Sequence, residues 1–156
     1  GIELDANKNL IDHDEYLLFI GGNLSYIDSE VDLSEDSIRL EGQSADGRTL
    51  QGQSEWLANF QIGFDHYATE QKFTVLVNYF DDRIFRISRG EFNGPEYEVS
   101  RVLIDLAYEK IFSDSFSIEA SVKNLLNDKV EYSQNKATIE SFETGTLIGV
   151  SLNYRF

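Results

Sequence analysis

Cysteine and methionine are both missing from the 156 residues, proline occurs once and histidine twice. Without thiols the chain holds no disulfide framework and no iron–sulfur cluster, and thiol catalysis is excluded. The two histidines, His13 and His66, lack the cysteine or histidine neighbours that a zinc site needs. An acidic turn for the first and a strand end for the second account for both. No run approaches the ~18 consecutive apolar residues of a membrane-spanning helix. That rules out a helical span but not a membrane barrel, whose strands are half apolar and need only ~9–11 residues each. Positive charge is also scarce: 13 basic residues face 28 acidic ones, a net charge of −15. A phosphate backbone would be repelled and no basic stripe exists, so no nucleic-acid partner is expected. Nor is there a Gly-x-Ser-x-Gly elbow, a phosphate loop or a dinucleotide fingerprint. In so acidic a chain, carboxylate pairs arise by chance. The expectation is a protein that is not an enzyme and carries no cofactor or metal.

What the chain does have is alternation, most clearly in its last stretch, Thr146 to Phe156. Ile148, Val150, Leu152, Tyr154 and Phe156 fall on one face of a strand; Gly149, Ser151, Asn153 and Arg155 fall on the other. A strand with lipid outside and water inside reads this way, with aromatics where lipid meets water. A soluble sheet packed on one face alternates too, so the rest of the chain has to repeat the pattern.

It does. Ile2, Leu4 and Ala6 alternate with Glu3, Asp5 and Asn7, and a compact turn at residues 11–15 leads into a strand from Tyr16 to about Asp28. Trp56 to Asp65 alternates, turns near residues 69–71, and resumes at Phe73 in a strand expected to run on through Arg83 and Phe85. Val102 to Glu109 and Phe116 to Lys123 follow, joined by a turn at residues 113–115. Eleven Phe and eight Tyr suit strands. Between the hairpins lie longer polar connections at residues 29–55, 88–96 and 127–141. The pattern predicts about seven antiparallel strands with alternately short and long connections, the rhythm of an outer-membrane barrel. Glu3, Asp5, Asn59, Gln61, Asp65, Asn78, Asp105, Glu109, Glu119, Lys123 and Arg155 lie opposite the apolar stripes, too polar for a sandwich core. They fit a wide, water-filled or plugged lumen. The opening Gly1-Ile2-Glu3-Leu4 already alternates, so either a leader has been removed or a longer chain precedes it.

Several stretches together resemble the C-terminal part of TonB-dependent outer-membrane receptors. They are Gly1-Ile2-Glu3-Leu4, Tyr26-Ile27-Asp28-Ser29, the segment from Arg48 to Asn59 containing Leu50-Gln51-Gly52-Gln53-Ser54, Asn124-Leu125-Leu126-Asn127-Asp128, and the terminal aromatic strand. The resemblance implies an all-β fold: an antiparallel transmembrane β-barrel segment, the last strands of a barrel of about 22. Residues 1–156 form one unit, the plug domain and earlier strands being absent. It further implies active uptake of a scarce nutrient (an iron chelate, a vitamin or an oligosaccharide) across the bacterial outer membrane. The implied partners are outer-membrane lipid, the rest of the barrel and its plug, TonB through a missing N-terminal part, and the barrel-assembly machinery. A passive porin or adhesin barrel, an enzyme built on a barrel, and a soluble β-sheet binding module are the alternatives.

Two sets of residues are singled out. Leu152, Tyr154 and Phe156 match the family's barrel-assembly signal. Arg83, Arg86, Arg89, Phe92, Tyr97 and Tyr132, aromatic or cationic and in or near the expected outer loops, are the candidate substrate contacts. For each of these six, girdle or loop packing is the favoured reading. Asp28, Glu30, Asp32, Glu35 and Asp36 offer oxygens to calcium, but Leu33 stands where a calcium loop needs glycine, so a solvated acidic loop is expected.

Overall fold

The computed structural model describes residues 1–41, 47–87 and 94–156. Among these residues it is all-β and antiparallel, with eleven strands, one short α-helix and one 3-10 turn. Seven strands form the larger sheet in the order β1 (Ile2–Asp12), β2 (Tyr16–Tyr26), β3 (Trp56–His66), β4 (Gln71–Phe80), β7 (Arg101–Ser113), β8 (Phe116–Lys123) and β11 (Leu147–Tyr154). These are the seven strands that alternation picks out. Four more make a second sheet in the order β10 (Ala137–Glu143), β9 (Lys129–Gln134), β6 (Glu96–Glu98) and β5 (Arg83–Arg86); three of them are unforeseen, and β5 falls where the strand from Phe73 was expected to end. Neither sheet closes on itself.

Register carries one side-chain set across the larger sheet. Ile20 lies opposite Ile62, which lies opposite Val75, and the row continues through Leu106 and Val122 to Ile148. Leu18, Phe64, Phe73, Tyr108, Ala120 and Val150 form the next row. The pleat puts the intervening residues on the opposite face. There Asp65, Lys72, Glu109, Glu119 and Ser151 make one row, and Asn23, Asn59 and Asn78 lie in another.

Among the described residues nothing packs on the apolar face. Phe60 is 46% exposed and Ile148 73%, and among the described residues the buried apolar side chains are Ile84 and Val130, both in the smaller sheet. Covering a Val, Leu, Ile or Phe is worth about 1.5–3 kcal/mol each, so this face leaves a large driving force unused in water.

Short turns all fall at one end of the larger sheet, as they must when consecutive hairpins pair side by side. The turn at His13–Glu15 is closed by reciprocal backbone bonds between His13 and Tyr16, and His13 Nδ1 accepts from the Glu15 N–H. At Tyr67–Thr69 a 3-10 turn ends on Glu70, whose φ of 50° is left-handed, and His66 Nδ1 accepts from the Thr69 N–H. Both histidines are therefore turn caps. The long connections, residues 27–55, 81–100 and 124–146, leave from the other end and carry most of the acidic excess.

Three boundary expectations need correction. β4 does not run on through Arg83 and Phe85. It stops at Phe80, because the Asp82 N–H and the Tyr79 hydroxyl both donate to Asp81 Oδ1, while Asp82 Oδ1 accepts from the Ser100 N–H. Side-chain acceptors thus take the place of ladder partners at this point. The connection at 127–141 is a hairpin rather than a loop. Asn135 and Lys136, at φ of 51° and 65°, supply the two left-handed residues of a tight turn between Gln134 and Ala137. In the acidic connection Ser34 caps a short helix, α1 (Glu35–Glu41), by accepting from the Ser37 N–H.

The second sheet extends the first. Phe80 pairs with Arg101, and three residues on Arg83 pairs with Glu98, so the β5–β6 hairpin keeps the register of β4–β7 across the break. β9–β10 likewise prolongs β8–β11, and the order β5, β6, β9, β10 repeats the order β4, β7, β8, β11.

Candidate functional site

The loop-bearing end is where the candidate contacts gather. Cross-strand partners share a face, and three of the named residues share one in the smaller sheet: Arg83 lies opposite Glu98, which lies opposite Tyr132, and Arg86 lies opposite Glu96. Tyr97 pairs with Ile84 and Ser133 and belongs to the other face. Arg89 and Phe92 lie outside the described residues.

Neither described arginine is a free cation. Arg83 donates from Nε and Nη2 to the same Glu98 oxygen at 2.9 and 2.7 Å. Its guanidinium carbon lies 4.7 Å from the centre of the Phe80 ring, and Arg101 stands over that ring at 5.3 Å. Arg101 also reaches Glu98 at 3.6 Å. This group of four welds the two sheets together on the polar side of the larger one. Arg86 is more exposed, pairs with Glu96 at 3.2 Å and lies 5.3 Å from the centre of the Phe85 ring.

Tyr132 is central. Its ring lies 4.3 Å from that of Phe85 and 6.3 Å from that of Phe142, centre to centre. Three rings in a row, with the outer two about 40% exposed, make an aromatic shelf. Phe85 and Phe142 escape sequence reasoning because their neighbours come from three different strands. The charge pair Arg83–Glu98 was discoverable in principle, by extending the β4–β7 register past the two aspartates.

The segments Leu50–Ser54 and Asn124–Asp128 are connectors. Gln51 Nε2 donates to the Phe85 carbonyl and the Gly52 N–H to the Ile84 carbonyl, both at 2.8 Å, so the segment caps the outer edge of β5. Gly52 has φ of 81°, open to glycine at little cost. Buried Ser54 donates to the Asp81 carbonyl at 2.7 Å. Asn124, also buried and at φ of 52°, holds the other connection. Its side-chain amide donates to the Asp128 and Gly145 carbonyls and to Thr144 Oγ1, while its Oδ1 accepts from the Asp128 N–H. Asp105 Oδ1 receives the Asn124 N–H.

A second polar cluster lies on the polar face of the larger sheet. Asp5, Asn7, Asn23, Asn59, Gln61 and Asn78 surround a depression of about 210 Å³ floored by Gly21 and Gly22. Asn59 donates to Asn23 at 2.9 Å and Asn7 to Asp5 at 3.0 Å. Nearby, the far end of the Phe19 ring covers Gly63, directly opposite in β3, in the space a Cβ would need.

At the other end, the proposed assembly residues line the last strand and its tail. Leu152 and Tyr154 are on the apolar face of β11 opposite Ile118 and Phe116, and Phe156 meets Tyr154 edge to face at 5.1 Å. Among the described residues no three carboxylates or histidines converge as a metal site would require. Comparisons of the chain with protein-family models, curated protein sequences and solved structures found no match.

Proposed function

We propose that this chain is the C-terminal wall of a TonB-dependent outer-membrane transporter, seven strands of a larger barrel that takes up a scarce nutrient. One observation carries the reading: an apolar face that runs across seven antiparallel strands, interrupted in its central rows by Lys8 of β1, exposed, and backed by a face rich in carboxylates and amides. In water that arrangement wastes its burial energy; in a barrel wall the apolar face meets lipid and the polar face meets the lumen. The strands also fit. Ten residues separate Tyr26 and Tyr16 along β2, about 33 Å of strand. Tilted by about 40°, that spans the ~25 Å apolar band of outer-membrane barrels. Aromatics stand at both levels: Tyr26 against Trp56, and Tyr16 beside Phe64.

The free edges of β1 and β11 are then seams to the remaining strands, since bare edges are tolerated neither in water nor in lipid. The long connections face the cell exterior and the short turns the periplasm. Leu152, Tyr154 and Phe156 serve as the signal read by the assembly machinery. TonB acts through a plug and coupling segment elsewhere in the receptor.

The test is fractionation of the whole protein from Gram-negative cells, followed by uptake assays with the proton gradient intact or collapsed. Outer-membrane residence with gradient-dependent uptake is expected. Gradient-independent permeation would favour a passive porin, and recovery as a soluble species would favour a binding module. Removing Phe156 should lower the amount inserted; unchanged insertion would remove the signal role.

A further inference from the structure

We infer that Lys8 forms an ion pair, inside the apolar band, with an aspartate or glutamate on the strand that borders the free edge of β1. The inference rests on the transporter reading and states what chemistry one seam of the wall requires. Lys8 lies opposite Ile20, on the apolar face, at the end of a row that is otherwise aliphatic as far as Ile148. Along β2, Ile20 stands four residues from Tyr16 and six from Tyr26, about 13 and 20 Å of strand. With a tilt of about 40° the nearer aromatic level is still about 10 Å away. That is further than the four-carbon stem of a lysine carries its ammonium. Among the described residues the Lys8 side chain has no ion pair and no hydrogen bond.

A lone lysine at mid-depth is among the costliest residues a lipid-facing wall can carry. A carboxylate alongside relieves that cost, because a lone buried charge is far less stable than a pair. The free side of β1 is where one can arrive. β2 takes the inner edge, and the outer edge presents unpaired N–H and C=O groups. A strand laid there brings one side chain about 4.5–5.5 Å from the Lys8 Cβ on the same face, and diagonal ones about 7–8 Å away, within reach of a long side chain. Neither free edge of this chain supplies the acid. Beside Lys8, the apolar face of β1 carries Ile2, Leu4, Ala6 and Ile11, and that of β11 carries Ile148, Val150, Leu152 and Tyr154. A second copy would therefore set Lys8 against apolar groups or against another lysine. The partner is a different strand, the neighbour of β1 in the rest of the barrel, with its acid facing outward at the level of Lys8.

The test uses the whole receptor in lipid vesicles, unfolded with urea. Lys8→Leu is expected to lower the urea midpoint, since it leaves a carboxylate alone in the apolar band. Lys8→Arg keeps the charge and should stay near the wild type. Residues 1–156 contain no cysteine, so Lys8→Cys, combined with single cysteines along the neighbouring strand, identifies the facing residue by disulfide formation. That residue, or one two positions from it, should be Asp or Glu. Lys8→Glu together with replacement of that acid by lysine should recover most of the lost midpoint. A higher or unchanged midpoint in Lys8→Leu, no acid within two positions of the facing residue, or a disulfide joining two copies would each overturn the ion pair. Any of these in a receptor resident in the outer membrane leaves the transporter reading standing. Recovery of the receptor as a soluble species would sink that reading and the ion pair with it.

Discussion

Asn124 joins three strands through one side chain. Its side-chain amide donates to three oxygens and accepts from one N–H, and together with a left-handed backbone these bonds tie the end of β8 to the beginnings of β9 and β11. Replacing it with alanine leaves carbonyls and an N–H unpaired in a buried place and strains the backbone. Each orphaned group costs about 1–3 kcal/mol, so Asn124→Ala should destabilise the loop-bearing end by at least about 2 kcal/mol. Urea titration of the receptor in lipid vesicles would measure it. Aspartate should recover only part, since it keeps the acceptor for Asp128 N–H but loses the donors. Gly63 makes the opposite kind of prediction. Its missing Cβ is the space Phe19 occupies, so Gly63→Val has to evict the ring or bend β3, an overpacking cost of about 1–3 kcal/mol. Cutting Phe19 to alanine in the same protein should return most of that loss.

Among the elements, the Gln51–Ser54 clasp stands out because it covers a sheet edge rather than a core. Gly52→Val puts a β-branched residue at φ of 81°, a conformation glycine alone takes easily. The clasp should open and leave the carbonyls of Ile84 and Phe85 without partners. Limited proteolysis should then cut the connection before β3 faster than in the wild type, while the larger sheet keeps its resistance. Equal cleavage rates would mean the clasp is not what holds that connection. At this scale the sequence was partly legible. Alternation located all seven strands of the larger sheet, and the terminal one to within a residue or two. It missed β9 and β10, because Lys129–Gln134 and Ala137–Glu143 carry few apolar residues and Asn135-Lys136 is a weaker turn signal than Asn-Gly. It ran β4 too far, since Arg83-Ile84-Phe85 keeps the look of a strand while the hydrogen-bonding habits of two aspartates break the ladder.

For the whole molecule, the two faces of the larger sheet demand different surroundings. If lipid covers the apolar one, Val150→Arg should cost about 2–4 kcal/mol near the bilayer midplane. Ser151→Arg, one residue along but on the polar face, should cost far less. Equal costs, measured by unfolding from vesicles, would contradict a lipid-facing Val150. The isolated chain should likewise not persist as a folded monomer in detergent-free buffer, because none of the described residues shields Ile148, Val150 and Leu152 or the outer edges of β1 and β11. A sharp cooperative melt of such a monomer would overturn this. Among the candidate contacts, charge and aromaticity were readable one residue at a time. That Arg83 and Arg86 are spoken for by Glu98 and Glu96 was not, for those pairs depend on register across a hairpin.

By itself the sequence determined the period-two pattern, the segregation of apolar from polar faces and the alternation of short with long connections, because these follow from local pleat geometry and turn chemistry. Only the tertiary structure decided that the loops build a second sheet in the order of the first, that the segments Leu50–Ser54 and Asn124–Asp128 clasp strand ends together, and that Phe85, Tyr132 and Phe142 come together. Each of those depends on which distant strands pair, and pairing is settled by register and by competition for backbone hydrogen bonds over the whole chain.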